Sequence, residues 1–319
     1  MIVANSLRQF NCLRIKTFIL PAVVQATVML FNAVLLCESA MKKLLEDVIG
    51  IARRAGVGIL DVYDLDDFGV ETKADNSPLT KADLASHEII VAGLQALKLD
   101  IPILSEESDD IPYSVRRGWQ RYFLIDPLDG TKEFINRNGE FTVNIALIKE
   151  GVPVLGVVYV PVKDVIYAGQ QLEGRTVFVE RAGSRRDIAT RNLASRLNGK
   201  EALTVVASRR HGGAALEACL GVLQKRFPKI ESTNMGSSLK LCLIAEGQAD
   251  LYPRLAPTSE WDTAAAQAIV EAAGGTVVDT NLKPLQYNGK ESILNPFFYV
   301  IGDSSFDWND VLKDVDVVG

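Results

Sequence analysis

Three acidic clusters stand where apolar runs of the sequence end or a helix begins. They are Glu106–Glu107, the pair of aspartates in Asp126–Asp129, and Asp262. Each one alone is typical of a turn or a helix cap. Carboxylates at the ends of different elements can converge, and they repel one another unless a hard divalent cation lies between them. The three clusters together therefore predict a metal site built from oxygen ligands, for which Mg²⁺ is the natural ion.

A glycine and a threonine follow the second cluster directly. Gly130 allows the backbone to come close to a ligand. The segment Thr131–Ile135 can open a helix, whose first N–H groups would point at a phosphate. The hydroxyl of Thr131 can orient a water molecule. A phosphate held between metal ions and backbone amides is the arrangement that metal-assisted phosphomonoester hydrolysis requires.

The composition narrows the choice of metal and of partner. The 319 residues include only two histidines, which excludes a histidine-rich metal site, and four cysteines without a CxxC pair. This cysteine usage disfavours a disulfide framework or a zinc site and indicates a reducing compartment. The formal net charge of −6 argues against a non-specific nucleic-acid binder. An anionic ligand would need a metal or a local basic pocket.

The elements that must position these residues are predicted from apolar periodicity and turn signals. The predicted helices are Met41–Tyr63, Lys81–Leu97, Gly213–Lys225, Ser237–Glu246 and Asp262–Ala273. The predicted strands are Val70–Lys73, Ile101–Leu104, Tyr122–Ile125, Thr142–Lys149, Pro153–Tyr159, Val165–Ala168, Thr204–Ala207, Ile230–Thr233, Asp250–Tyr252 and Thr276–Asp279. The pattern predicts an α+β metal-binding half (41–180), an exposed basic connector (180–202) and an α/β half (200–319). We expect layered helices and sheets, with the site where the halves meet.

Residues 1–40 form an N-terminal extension of different character. Basic residues precede an apolar run, Thr17–Leu36, which fits a signal peptide or a membrane anchor. A lipoprotein signal is disfavoured, because Leu36 is large for the position before Cys37. The reading that we favour is a mis-set start, with Met41 the true first residue, because Met41 opens an amphipathic helix and a full set of elements follows.

The acidic motifs also resemble a known family. The run Asp126–Thr131, with Glu106–Glu107 upstream and Trp261–Ala264 downstream, is similar to the two signatures of the inositol-monophosphatase superfamily. The likeness covers roughly residues 41–303 and is closer to the bacterial CysQ-type 3′(2′),5′-bisphosphate nucleotidases within that superfamily. The segments that carry the closer likeness are Lys73–Pro78, Trp119–Asn144, Gly236–Lys240, Ala245–Gly247 and Tyr252–Arg254.

The resemblance implies a layered αβαβα sandwich of the inositol-monophosphatase and sugar-phosphatase type, and a role for each matching residue. Two or three Mg²⁺ ions would bind to Glu106, Asp126, the carbonyl of Leu128, Asp129 and Asp262. Glu107 belongs to the same motif but is not counted among these ligands. Thr131 and Asp83 would orient the nucleophilic water, although Thr80 to Asp83 also fits a helix cap. The substrate phosphate would contact the metal-bound residues Glu106, Leu128, Asp129 and Asp262 together with Gly130 and Thr131.

Four further residues match positions that contact the nucleotide in relatives: His211, Ser237, Lys240 and Arg254. Lys240 and Arg254 offer positive charge for a second phosphate, and His211 could stack on the adenosine. Two alternatives stay open, namely that Lys240 is a solvated helix residue and that His211 is an ordinary loop residue.

The resemblance thus implies a hydrolase that converts adenosine 3′,5′-bisphosphate to AMP and phosphate, clears this by-product of sulfate activation and is inhibited by lithium. A small-molecule nucleotide is the expected partner, without nucleic acid. We expect a cytoplasmic location, with peripheral contact to the inner membrane and the oligomeric state left open. The alternatives are an inositol or sugar monophosphatase, a fructose-1,6-bisphosphatase-like enzyme, a non-catalytic nucleotide-binding regulator and a membrane-anchored exported protein.

Overall fold

Two β-sheets and three layers of helices position the acidic residues. The computed structural model describes residues 39–65, 67–73, 78–172, 174–198, 201–207 and 213–315. Residues Leu45–Gly319 form one compact unit. The extension 1–40 lies outside the described residues except for its last two positions, which begin a helix.

The larger sheet has seven strands in chain order, β3 to β9, and all its neighbouring strands pair antiparallel except β3 with β4. Its strands are β3 (Ile103–Ser105), β4 (Arg121–Asp129), β5 (Thr142–Lys149), β6 (Val152–Val160), β7 (Val165–Gln170), β8 (Thr176–Arg181) and β9 (Ser184–Asp187). A separate two-stranded hairpin, β1 (Glu71–Thr72) and β2 (Pro78–Leu79), precedes it.

The smaller sheet has five strands in the order β11-β10-β12-β14-β13. Its strands are β10 (Leu203–Ala207), β11 (Ile230–Asn234), β12 (Leu251–Arg254), β13 (Thr276–Asp279) and β14 (Phe298–Ile301). Strands β10, β11 and β12 run parallel, as strand–helix alternation predicts, and β14 inserts antiparallel between β12 and β13. The sequence analysis assigned no element to β14.

Helices fill the space between the sheets and cover their outer faces. They are α1 (39–63), α2 (Lys81–Ala96), α3 (Tyr113–Arg116), α4 (Thr131–Ile135), α5 (Leu193–Asn198), α6 (Ala214–Arg226), α7 (Leu239–Ala245), α8 (Glu260–Ala273) and α9 (Trp308–Leu312), with a 3₁₀ turn at Pro161–Lys163. Helices α1 and α2 pack on each other and on the seven-stranded sheet, α7 and α8 lie between the sheets, and α6 and α9 cover the five-stranded sheet.

The period-2 alternation of β14 shows why the layers form. Phe298 and Val300 belong to the core around α7 and α8, whereas Tyr299 and Ile301 belong to the core under α6 and α9. Successive side chains of a strand point to opposite faces, so a strand that is apolar on both faces must be covered twice. The expected αβαβα sandwich is confirmed.

Helix α8 lies unusually close to the larger sheet because its buried face consists mostly of alanine. A Cβ added at Gly156 of β6 would stand 2.0 Å from the carbonyl oxygen of Ala265. Only a glycine on the strand permits this approach. The close contact fixes α8, with Asp262 in its first turn, against β6 and the neighbouring strands β4 and β5.

The prediction that residues 180–202 form an exposed connector is wrong for its first part. Strands β8 and β9 extend the larger sheet through Asp187. The basic side chains of this part are exposed, as predicted, but they form ion pairs across the fold, for example Arg185 with Glu180 and Arg181 with Glu246. The division of the chain into halves 41–180 and 200–319 stays a prediction. Within the described residues, no helix combines the length and apolarity needed to cross a bilayer.

Candidate active site

Three of the predicted acidic residues come together at one point. One carboxylate oxygen from each of Glu106, Asp126 and Asp262 lies within 4.8 Å of the other two. We call these three residues the carboxylate cluster. Its members come from three elements that are distant in sequence, namely the end of β3, the strand β4 and the first turn of α8.

Local structure explains the position of each member of the cluster. Strands β3 and β4 are parallel neighbours, and the amide of Glu106 donates to the carbonyl of Ile125 at 3.2 Å. Asp126 therefore lies beside Glu106. The sequence analysis predicted Asp262 as the first residue of α8. It is the third residue, because the helix begins at Glu260. Its Oδ2 accepts from the amide of Ser259 at 2.9 Å in a capping box, and the positive end of the helix favours its charge.

The carboxylates of the cluster are largely buried and repel one another. Burial raises the pKa of Asp126 well above its usual range, and the charges of the neighbouring carboxylates add to the effect. Burial and the same neighbours also raise the pKa of Asp262 well above the usual value. The pKa of Glu106 is raised by burial, although Lys73 opposes the shift. Such a cluster of buried acids favours a bound cation.

Asp129 lies next to the cluster, and its charge raises the pKa values of all three members. Its Oδ2 accepts a hydrogen bond from the amide of Ser238 at 2.6 Å, and the Ser238 hydroxyl lies 2.8 Å away. The structure thus places Asp129 beside the three mutually close carboxylates, with one oxygen already engaged. Its role as a metal ligand stays a prediction.

An irregularity in β4 sets apart the segment that holds Leu128. Strand β4 pairs with β5 up to Asp126 and again at Asp129, with the register shifted between them. Leu128 therefore stands outside the regular ladder, and its amide donates to Asp126 at 3.0 Å. Bulges of this kind redirect backbone groups next to functional sites. The role that the resemblance implies for the carbonyl of Leu128 stays a prediction.

Asp83 and Thr131 meet across two elements. The hydroxyl of Thr131, the first residue of α4, lies 3.3 Å from Oδ1 of Asp83 in the first turn of α2. The other oxygen, Oδ2, caps α2 by accepting from the amide and hydroxyl of Thr80 at 2.7 and 2.6 Å. The capping role and the Thr131 contact thus use different oxygens. Burial raises the pKa of Asp83, against the hydrogen bonds from Thr80.

Two tight turns face each other above the cluster. Gly130 has φ +94°, and an added Cβ there would lie 3.3 Å from the carbonyl oxygen of Glu140 and 3.4 Å from Cβ of Ser237. The position therefore needs glycine for both its dihedral angle and its space. Ser237 itself has φ +40°, an uncommon conformation for a serine. Strained residues of this kind concentrate at functional sites.

A cavity of about 320 Å³ opens beside Asp129 and Asp262. Its lining includes Gly130, Lys132, Glu133, Met235, Ser237, Lys240, Tyr252, Arg254 and Phe298. The cavity thus brings together three of the four predicted nucleotide contacts, Ser237, Lys240 and Arg254. The fourth, His211, lies outside the described residues.

Lys240 and Arg254 are both oriented by neutral oxygens. Lys240 is only 8% exposed, which excludes the alternative of a solvated helix residue. Its Nζ donates to the carbonyl of Ser237 at 2.7 Å. Burial lowers the pKa of Lys240 to about 8, with the charge of Arg254 contributing and that of Asp129 opposing. Arg254 donates to the carbonyl of Pro257 at 2.7 Å and to the hydroxyl of Thr258.

Several supporting residues escaped the sequence analysis. Ser238 Oγ lies 2.8 Å from the carbonyl of Asp262 and accepts from Asn144 Nδ2 at 2.8 Å, so it ties α7 and β5 to α8. Asn144 is a fully buried amide in a mostly apolar strand. A buried polar side chain in such a strand needs a partner, and this is the signal that could have identified it.

The chain matches a family model described as the inositol monophosphatase family over residues 40–301. The chain is 51% identical over 258 residues to the 3′(2′),5′-bisphosphate nucleotidase CysQ of Escherichia coli K12, covering 81% of this chain and 99% of that protein. It is 36% identical over 270 residues to the Haemophilus influenzae protein of the same name, covering 85% of this chain and 97% of that protein.

Solved structures give the same picture. The crystal structure of CysQ from Bacteroides thetaiotaomicron matches with a TM-score of 0.70 and 43% identity, covering 82% of this chain and 98% of that one. An inositol monophosphatase from Anabaena matches with a TM-score of 0.65 and 24% identity, covering 86% and 96%. At this lower identity, the Anabaena structure supports the fold alone.

Proposed function

The chain belongs to the inositol monophosphatase family, and from that premise we propose that it is a Mg²⁺-dependent phosphatase that removes the 3′-phosphate of adenosine 3′,5′-bisphosphate. The observation that carries the proposal is the juxtaposition of an acidic cluster with a cavity that holds two cations, Lys240 and Arg254. A substrate with two phosphates would place one phosphate at the metal-binding cluster and the other beside the two cations. The bisphosphate nucleotidase names of relatives at 51% and 36% identity support the same choice.

The carboxylate cluster fits Mg²⁺ in its chemistry. All its donors are carboxylate oxygens, and Mg²⁺ binds oxygen at about 2.0–2.1 Å, so opposite ligands in an octahedron lie about 4.2 Å apart. The spacing of at most 4.8 Å within the cluster is compatible with that geometry. Asp129 and the carbonyl of Leu128 would complete the set for two or three ions. When bound, Mg²⁺ supplies Lewis-acid charge to the phosphate and acidifies a nucleophilic water.

Thr131 and Asp83 would hold the attacking water. The carboxylate of Asp83 accepts a hydrogen bond from the Thr131 hydroxyl, so the hydroxyl oxygen presents its lone pairs to a water proton. Asp83 cannot turn away, because its second oxygen caps α2. A fixed acceptor aligns the water for in-line attack, and alignment of this kind lowers the barrier without covalent catalysis.

The backbone at Gly130 and Thr131 would bind the phosphate that is cleaved. The first amides of α4 have no acceptor within the helix and favour an anion. Lys240 and Arg254 would bind the second phosphate, with Ser237 as a hydroxyl donor. Lys240 is buried and donates to a neutral carbonyl, so a phosphate would offer its ammonium a charged acceptor in place of an uncharged one.

A substrate panel tests this proposal. Phosphate release is measured from adenosine 3′,5′-bisphosphate, inositol 1-phosphate and fructose 1,6-bisphosphate across a Mg²⁺ titration and in EDTA. We expect the nucleotide to have the highest kcat/KM, with activity lost in EDTA and inhibited by lithium. Preference for inositol 1-phosphate or the sugar bisphosphate would replace the substrate assignment, and unchanged turnover in EDTA would refute the metal assignment. Nucleotide binding without turnover would instead favour a regulator.

We propose a reducing, cytoplasmic location, with which the two described cysteines, Cys219 and Cys242, agree because both are free and buried. The role in sulfur assimilation follows from the proposed substrate alone. Peripheral contact with the inner membrane rests on residues 17–36, which lie outside the described part of the chain.

A further inference from the structure

Lys73, directly after β1, reaches into the acidic site. Its Nζ lies 2.8 Å from Oε1 of Glu106 and 2.5 Å from Oε1 of Glu107. The side chains of Lys73 and Glu107 are only 20% and 6% exposed. Within the described part of the chain, no other lysine or arginine forms an ion pair with a member of the carboxylate cluster.

The position of Lys73 has two opposite electrostatic effects. Its positive charge reduces the repulsion between Glu106 and the other members of the cluster, so it stabilises the chain when no divalent cation is bound. The same charge opposes a divalent cation that approaches Glu106, because like charges a few ångströms apart repel. The ammonium also uses one of the two oxygens of Glu106, which leaves that oxygen a poorer metal ligand.

Glu107 holds Lys73 in this position. It is almost fully buried, and its carboxylate shares the ammonium with Glu106. Its neighbour in the chain belongs to the cluster, whereas Glu107 is not among the three mutually close carboxylates. The motif Glu106–Glu107 therefore combines one residue that faces the metal site with one that anchors its counter-ion.

We propose that Lys73 is a tethered counter-ion of the carboxylate cluster, which competes with Mg²⁺ for Glu106 and thereby sets the metal affinity of the site. This inference rests on the proposed function, because it takes the cluster to be the Mg²⁺ site. Lys73 would then determine how readily Mg²⁺ leaves the carboxylate cluster. This role is separate from that of the residues that act on the substrate.

The test is isothermal titration calorimetry of Mg²⁺ alone into the EDTA-stripped full chain, with melting curves recorded in EDTA and in saturating Mg²⁺. The variants are Lys73→Met, Lys73→Arg and the matched control Lys149→Met, which removes an exposed lysine at the end of β5. Lys73→Met should bind Mg²⁺ about three- to tenfold more tightly than the natural chain, since a like charge has been removed. It should also melt lower in EDTA and regain its stability in Mg²⁺.

Lys73→Arg keeps the charge and should bind Mg²⁺ within about twofold of the natural chain, as should Lys149→Met. Equal or weaker Mg²⁺ binding by Lys73→Met would overturn the proposal. If that variant fails to fold without metal, unchanged affinity in Lys73→Gln, which keeps much of the side-chain volume, would overturn it instead. Absence of Mg²⁺ binding in the natural chain would refute the metal centre itself, an outcome distinct from a Lys73 variant that leaves a measurable affinity unchanged.

Discussion

The acidic side and the basic side of the site are built in different ways. The carboxylate cluster consists of like charges that raise one another's pKa values, and Lys73 is the cation paired with it in the described structure. Lys240 and Arg254, by contrast, donate to neutral oxygens of Ser237, Pro257 and Thr258. The acidic side is thus destabilised until a divalent cation binds. On the basic side, oxygens of the protein itself accept the hydrogen bonds of both cations.

This difference separates catalysis from recognition. Mutation on the acidic side should abolish turnover and yet relieve repulsion in the metal-free chain. Mutation on the basic side should weaken binding of one class of substrate and leave the reaction itself largely intact. Four predictions test the contrast.

The largest effect is expected for Asp126→Asn. It removes a fully buried carboxylate from the cluster, so kcat should fall by about 10³-fold or more. The melting temperature in EDTA should stay the same or rise, because a buried repulsive charge is lost. Asp129→Asn should also cost orders of magnitude in kcat. Near-normal turnover in either variant would contradict the metal assignment. A large loss of metal-free stability in Asp126→Asn would contradict the claim that the carboxylates of the cluster repel one another.

Thr131→Val should lower kcat by about 10²-fold, because the methyl group cannot present a lone pair to the water. Thr131→Ser keeps the hydroxyl and is the matched control, which should retain most of the activity. Single-turnover rates with saturating Mg²⁺ and substrate measure the effect. If the serine and valine variants are equally slow, the hydroxyl is not the group that matters.

Lys240→Met tests the basic side. It should raise KM for adenosine 3′,5′-bisphosphate about tenfold, the loss of one charge-assisted contact, with kcat changed only a few-fold. Turnover of inositol 1-phosphate, which lacks a second phosphate, should not change. Lys149→Met, which removes an exposed lysine, serves as the control. A fall in kcat on both substrates would show that Lys240 acts on the reaction and not on recognition.

The smallest effect is a pH dependence of stability without metal. The folded-state pKa values of Asp126 and Asp262 are raised, so their contribution to stability is complete below the unfolded pKa of about 4 and is lost as pH rises through the folded values. In EDTA the chain should melt several degrees higher at pH 5 than at pH 8. Saturating Mg²⁺ and Asp126→Asn should each reduce that difference. A difference unaffected by either would place the pH dependence elsewhere.

The members of the carboxylate cluster could be predicted from the sequence because each one lies at a boundary of an element that is easily identified. Glu106 directly follows β3, Asp126 follows the apolar run Tyr122–Ile125 within β4, and parallel pairing of the two strands makes them neighbours. The basic strand β9 could not be predicted in the same way. All its residues are exposed, and its arginines are paired with Glu180 of the neighbouring strand β8 and with Glu246 after α7, so its polar character indicated a connector.

The contacts that hold the site together depend on long-range pairing, which periodicity does not reveal. Ser238 joins Asp129, Asn144 and the carbonyl of Asp262 across about a hundred residues of chain at its widest separation. The pairing of Lys73 with Glu106–Glu107 is of the same kind. Residue types predicted the chemistry, whereas only the fold identified the partners.

The most direct test of the central claim is the identity of the product. Adenosine 3′,5′-bisphosphate is incubated with the chain and Mg²⁺, and ³¹P NMR follows the two phosphate resonances. The account predicts that the 3′-phosphate signal disappears while inorganic phosphate and adenosine 5′-monophosphate appear in equal amounts, and that EDTA stops the reaction. Loss of the 5′-phosphate, or no phosphate release with Mg²⁺ present, would contradict it.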